Sequence, residues 1–345
     1  MTNMDEAPGW SVFGLPLSSV REHVGSLGQV VRIDRLVEDD GSARGARRLR
    51  VITGSGLEYE VHPDRALDIG RVTFDGVPMA WLSPTGFAAP GLADAAGDGW
   101  TKTFGGGLMA TCGLDNFGAA GIDGTTAYGL HGRIGSLPAE LTRIEVSEVI
   151  RIEGAVNQAT AFGENLRLER KISSPVGGSS IVVEDRITND SAEDSPLMAL
   201  YHVNVGWPML SPDAILEIPA ATTIARDEDA RAGLAESAVI TAPSTRFPEQ
   251  VFQHTLTEGS DSVLLTNSVL GIEFSLRFSS ETLPWINQWK LLKSSTYVLG
   301  LEPTNCRSFS GRAGARDADE LPQLGAGESV LHRLEFGFRR LEKSA

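Results

Sequence analysis

Three segments far apart in the chain each set one acid-base side chain among apolar or glycine residues. They are His131 in Gly129-Leu-His-Gly-Arg-Ile134, His202 in Leu200-Tyr-His-Val-Asn-Val-Gly-Trp-Pro208 and Glu302 in Leu299-Gly-Leu-Glu-Pro-Thr-Asn305. Histidine titrates near pH ~6.5 and burial can tune a carboxyl toward neutrality, so the trio can supply a general acid and a general base. Each residue also has a plainer reading. His131, beside Gly132, fits a turn histidine bonded to backbone, and His202, in the run Met198-Ala-Leu-Tyr201, fits a satisfied core histidine. Glu302 between Leu301 and Pro303 is harder to dismiss, because an unpaired buried carboxylate is expensive to keep without a task. Asn204, two residues beyond His202, shares its face on a strand and makes a polar pair with it.

The elements that must position these groups read as β. From Gly271 to Ser279, Ile272, Phe274, Leu276 and Phe278 alternate with Glu273, Ser275 and Arg277, the period-two pattern of a half-buried strand. Similar alternation runs through Ile181–Ile187, Leu334–Phe338 and Leu166–Leu168, with Gly, Pro, Asn, Asp and Ser clusters between the runs. This predicts an all-β fold, a large antiparallel sandwich with few short helices. One helix is expected from about Pro16 to Val24, with the Ser18-Ser19 pair as its cap. The Gly- and Ala-rich stretch Ala88–Gly107 predicts a long surface loop of the kind that serves function. Ala220–Glu236, with its Ala-Arg-Asp-Glu-Asp-Ala-Arg run, reads as a solvated face and not a site.

Composition bounds the partners. The 345 residues carry a net charge of -15 with no basic stripe to offset it, which repels phosphate backbones and anionic lipid; neither nucleic acid nor membrane is expected as a partner. Cys112 and Cys306 are too few for a disulfide scaffold and form no Cys-x-x-Cys pair, and no signal-peptide pattern or long apolar run appears, so the expected location is cytoplasmic. Gly105-Gly106-Gly107 lacks the Lys-Ser/Thr of a phosphate loop, and no cofactor is expected. Residues 1–44 read as an N-terminal extension packed on or leading into one domain of residues 45–340, in a monomer or a homodimer.

Taken in order, the blocks Asp64–Gly70, Ala80–Gly86, Gly106–Asp115, Leu130–Ile134, Tyr201–Gly206, Asn287–Lys290 and Gly300–Asn305 resemble a bacterial family of unassigned function within the galactose mutarotase-like, or aldose 1-epimerase, superfamily. The resemblance implies a β-supersandwich with a sugar in a groove across one sheet face. It places Glu302 as the base that takes the anomeric hydroxyl proton, His202 as the acid that protonates the ring oxygen, and His131 as a second imidazole on a sugar hydroxyl. Opening a hemiacetal needs proton removal at one oxygen and donation at the other, each worth about 10²–10⁴-fold. Arg133 and Lys290 are then candidates for sugar hydroxyls or an anionic substituent, Asn204 and Gln288 for further polar contacts, and Trp289 or Trp207 for an apolar platform. The arginine that mutarotases carry before the first histidine has no counterpart in Gly107-Leu-Met-Ala-Thr-Cys-Gly-Leu114, and no counterpart of their substrate-binding aspartate stands out. Two other classes stay open: a metal-dependent sugar enzyme with the two histidines and Glu302 as ligands, and a carbohydrate-binding protein without catalysis.

Overall fold

The structure is a computed structural model that describes residues 11–342. Two large antiparallel sheets form the body. The first has eleven strands, and its path runs Ala220–Ala225, Gln250–Leu256, Trp285–Lys293, Thr296–Thr304, Met198–Gly206, Met109–Leu114, Asp68–Phe74, Leu57–His62, Arg47–Ile52 and Arg32–Val37, with Val77–Pro78 pairing to Asp68–Phe74. The second has eight, from Glu140–Val146 at one edge to Ala214–Glu217 at the other. The strand Arg32–Val37 comes from the segment ahead of residue 45 and is the edge of the first sheet.

The alternating segments form strands where the pattern predicts them, at Ile272–Phe278, Ser180–Asn189, Asn165–Pro175 and Ser329–Arg340. Their apolar sets interlock between the sheets: Leu166, Leu168, Ile181, Val183, Leu276 and Phe336 are buried in one core with Tyr59, Val61, Ile69, Val203 and Leu301 of the other sheet. Each such side chain contributes about 1.5–3 kcal/mol when fully buried. The expected helix forms at Leu17–His23, but Pro16 precedes it and no side chain caps it. Ser18 and Ser19 fall inside the first turn, two and three residues past the cap position at Pro16.

Met198–Gly206 does not alternate in burial, because both of its faces are covered. Tyr201, Val203 and Val205 point into the sandwich core, while Leu200, His202 and Asn204 point outward beneath the Ala80–Gly107 segment. That segment is not loose: it carries the 3-10 turns Pro90–Leu92 and Gly99–Lys102 and lays Trp100 and Phe104 over the sheet.

A buried polar cluster joins the sheets under the same place. Arg170, with no exposed side-chain surface, donates to both oxygens of Asp185 at 2.8 and 2.6 Å, to Asp68 at 3.1 Å, to Thr111 at 2.8 Å and to the Ala66 carbonyl at 2.9 Å. The Tyr201 hydroxyl donates to Asp185 at 2.8 Å, one residue from His202. Every member pairs across the sandwich, so the cluster pins the Met109–Leu114 and Met198–Gly206 strands against the second sheet.

Candidate active site

Antiparallel pairing alone brings His202 to Glu302. Leu200 lies opposite Thr304 and Val203 opposite Leu301, and that register sets His202 beside Glu302 on the outer face. His202 Nε2 is 3.2 Å from Glu302 Oε1, and both side chains are buried. Gly300 makes the room: a Cβ there would come within 2.7 Å of Glu302 Oε1 and 2.9 Å of Trp289 Cβ. A larger residue would displace one of them.

His131 reaches the site from a turn. It has a positive φ of 58°, a region that costs a non-glycine residue about 1–3 kcal/mol. Backbone bonds hold it there, from His131 N to Gly118 O at 3.1 Å and from Gly113 N to His131 O at 3.0 Å. Gly118 N donates to His131 Nδ1 at 3.4 Å, so the hydrogen of the neutral ring resides on Nε2. The next residue must be glycine, since a Cβ on Gly132 would lie 2.4 Å from Asn116 O and 2.5 Å from Gly113 O.

Aromatic rings wall the site. Trp100 stacks on Phe104 with centroids 4.0 Å apart and lies 4.5 Å from the His131 ring, while Phe104 and Trp289 lie 5.1 and 5.4 Å from His202. The two imidazoles are 5.6 Å apart, edge to face. These groups line a cleft of about 730 Å³, ample for a monosaccharide. Its rim carries Asp98, Arg226 and Glu249; Glu249 accepts from Trp289 Nε1 at 2.9 Å and from Arg226 at 2.7 Å.

The cleft shifts its own acid-base groups. Burial, with the Glu249 carboxylate adding to it, pushes the Glu302 carboxyl up to about 8, and Arg226 opposes this. Burial holds the His131 imidazole down at about 4. His202 is pushed well below the usual histidine range by burial first and by His131 second. At neutral pH both rings are uncharged and Glu302 holds a proton.

Of the residues singled out from sequence, His131, His202, Glu302 and Trp289 line this cleft together. Asn204 lies beneath it, fully buried, with its amide on Gly107 O. Three others are elsewhere. Arg133 pairs with Asp115 at 3.3 Å and Glu164 at 2.9 Å. Gln288 bonds His254 at 3.0 Å and Ser237 O, and Lys290 donates to Glu236 O at 2.7 Å. In the strand Trp285–Lys293, Asn287 and Trp289 face the cleft, so period two sends Gln288 and Lys290 to the opposite face with Ile286 and Leu292. Trp207 stands 73% exposed and does not line the cleft. Trp100, Phe104, Asn287, Arg226 and Glu249 were not among the candidates. Arg226 belongs to the stretch Ala220–Glu236 that reads as a solvated face and not a site, and that reading fails at Arg226: the pairing of Ala225 with Phe252 folds the stretch back over the cleft, where Arg226 and Glu249 both line it. Among the described residues, no three or more His, Cys, Asp or Glu side chains are grouped to hold a metal ion.

Residues 43–338 match a family described as a domain of unknown function, DUF4432. The chain belongs to this family. Solved structures place the family's fold: a candidate aldose 1-epimerase from Klebsiella pneumoniae is 25% identical, with a TM-score of 0.80 over 89% of this chain and 83% of that one. A galactose mutarotase-like protein from Clostridium acetobutylicum (12% identity, TM-score 0.67) covers 91% of this chain over its whole length, and a galactose 1-epimerase from Lactobacillus acidophilus (11%, 0.59) covers 90%. This family member therefore has the all-β galactose mutarotase-like fold. No curated protein matches the chain. No described helix is long and apolar enough to cross a membrane.

Proposed function

We propose that the protein is an aldose 1-epimerase-like isomerase that opens and recloses the hemiacetal of a monosaccharide or a close derivative. The observation that carries this reading is the 3.2 Å contact between His202 Nε2 and Glu302 Oε1 at the floor of an aromatic-walled cleft. The anomeric oxygen and the ring oxygen of a pyranose share one carbon, so an acid and a base that serve them must stand next to each other. Once the Glu302 proton has passed across that contact to His202, the carboxylate takes the proton of the anomeric hydroxyl while the imidazolium gives one to the ring oxygen, and the bond between C1 and the ring oxygen breaks. Rotation about the bond from C1 to C2 presents the other carbonyl face, and ring closure returns both protons. His131, whose Nε2 carries hydrogen, donates to a sugar hydroxyl. Trp100 and Trp289 offer apolar faces to the pyranose, and Asn287, Glu249 and Arg226 offer partners for its hydroxyls.

The test is exchange spectroscopy of anomeric protons over a panel of neutral and acidic monosaccharides, with wild type and Glu302→Gln in parallel. The reading expects at least one sugar whose α-to-β exchange is accelerated by wild type and not by the variant. Acceleration that survives Glu302→Gln unchanged overturns the assignment of Glu302.

A further inference from the structure

Four neighbouring strands of the first sheet set one polar side chain each into a single row. Met198–Gly206 contributes His202, Thr296–Thr304 contributes Glu302 beside it, Trp285–Lys293 contributes Asn287 opposite Glu302, and Gln250–Leu256 contributes Gln253 opposite Asn287. The first three line the cleft, and Gln253 stands behind them, 2% exposed. Its Nε2 donates to the Arg307 carbonyl at 3.1 Å and to Asn287 Oδ1 at 2.9 Å, which uses both amide hydrogens. The Arg307 carbonyl can only accept, so the bonded end of Gln253 is its nitrogen. That nitrogen can only donate, so the bonded end of Asn287 is its oxygen. Reversing Gln253 would set oxygen against oxygen, and reversing Asn287 alone would set N–H against N–H. Among the described residues Gln253 Oε1 is buried without a partner, a cost that an apolar side chain of similar shape would avoid. A glutamine here is a poor choice for stability and a good one for orienting Asn287.

We propose that Gln253 is a positioning residue that holds the Asn287 amide with Nδ2 toward the cleft, beside Glu302. Directly opposed residues on one sheet face have Cβ atoms about 4.5–5.5 Å apart, so a single sugar hydroxyl can reach both Asn287 and Glu302. The Asn287 nitrogen only donates. The hydroxyl therefore meets it with a lone pair and turns its own hydrogen to the Glu302 carboxylate. With the Asn287 amide reversed, Oδ1 would accept that hydrogen and draw it away from the base. The second bond of Gln253 anchors Arg307, whose next two residues, Ser308 and Phe309, line the same cleft. The role in turnover rests on the proposed isomerase reading; the orientation of the two amides does not.

The experiment has two arms. In the first, the full chain labelled with ¹⁵N in its asparagine and glutamine side chains shows how fast each amide exchanges hydrogen with water, the two signals being assigned by their loss in Gln253→Met and Asn287→Ala. The Gln253 hydrogens, buried and bonded, are expected to exchange at least about tenfold more slowly than those of Asn287. Protected Asn287 hydrogens beside faster Gln253 ones overturn the proposal. In the second arm, anomeric exchange of an accepted sugar is measured in a double-mutant cycle. Gln253→Met is expected to lower kcat/KM about tenfold, the effect of one neutral hydrogen bond, and to lower it no further when added to Asn287→Ala. A loss of the same size in both backgrounds, as a merely structural glutamine would give, or no loss in either, overturns the positioning role. If Gln253→Met does not fold, Gln253→Glu makes the assignment and the wild-type amide exchange decides. If no sugar is turned over yet the amides exchange as expected, the isomerase reading fails and the orientation of Asn287 stands.

Discussion

Replacing Glu302 with Gln should make the protein more stable, and by an amount that depends on pH. The carboxyl has a folded value of about 8 against an ordinary 4.5, because burial disfavours its charge. A carboxyl raised in the folded state favours folding only in its protonated form. Its cost is absent below about pH 4.5, grows as pH rises toward 8, and is constant above that. At pH 7 the unfolded group is ionised and the folded one is mostly protonated; with about 1.4 kcal/mol for each pH unit above 4.5, the cost is about 3 kcal/mol. At pH 5 it is under about 1 kcal/mol, and above pH 8 it levels off near about 5 kcal/mol. The Gln amide keeps a donor for His202 Nε2 and carries no charge, so the variant escapes the cost without losing the hydrogen bond. Urea titrations of wild type and E302Q at pH 5, 7 and 8.5 read the difference directly. A stability gap that is flat across this range, or that closes as pH rises, refutes the reasoning, since either would mean that the folded carboxyl is already ionised at neutrality.

Arg170→Met leaves the Asp185 and Asp68 carboxylates buried without their cation and is expected to cost about 3–5 kcal/mol in urea denaturation; a loss under about 1 kcal/mol would mean that the cluster does not pin the sheets. Glu249→Gln should bring the Glu302 titration down and Arg226→Gln should take it up, because the first removes a negative and the second a positive neighbour; shifts in the same direction, read from the pH dependence of stability, contradict the electrostatic account. His131, held at about 4, has the opposite linkage to Glu302: stability present above about pH 6.5 is lost as pH falls toward 4, so a variant without this imidazole should show a shallower acid limb in thermal melts. Trp100→Ala removes the stacked wall over His131 and should weaken sugar binding about tenfold with the fold intact by circular dichroism, unchanged binding being the adverse result.

The parts of this architecture that depend on local pattern are legible in the chain. Ile272–Phe278 alternates strictly because one of its faces lies in the core, and His131, His202 and Glu302 stand out because each is an ionisable group in an apolar or glycine setting. Period two also carries a constraint that residue type hides: Trp289 faces the cleft, so its neighbours Gln288 and Lys290 cannot. Arg226 and Glu249 are the reverse case. Their neighbourhood has the charge pattern of a solvated surface, and they reach the site only through the pairing of Ala220–Ala225 with Gln250–Leu256, a contact between segments whose spacing along the chain carries no signal. Trp100 and Phe104 lie in a stretch without periodicity, so their place over His131 and His202 follows from tertiary packing and not from any local rule.

The central claim is that Glu302 and His202 act as one acid-base unit. The measurement that tests it most directly is anomeric exchange of an accepted sugar by wild type, Glu302→Gln, His202→Gln and the double variant, each checked for fold. Residues that work as a unit lose their effect together, so each single variant should fall by about 10²–10⁴-fold and the double variant should fall little further. Losses that multiply in the double variant, or a single variant that retains wild-type exchange, would contradict it.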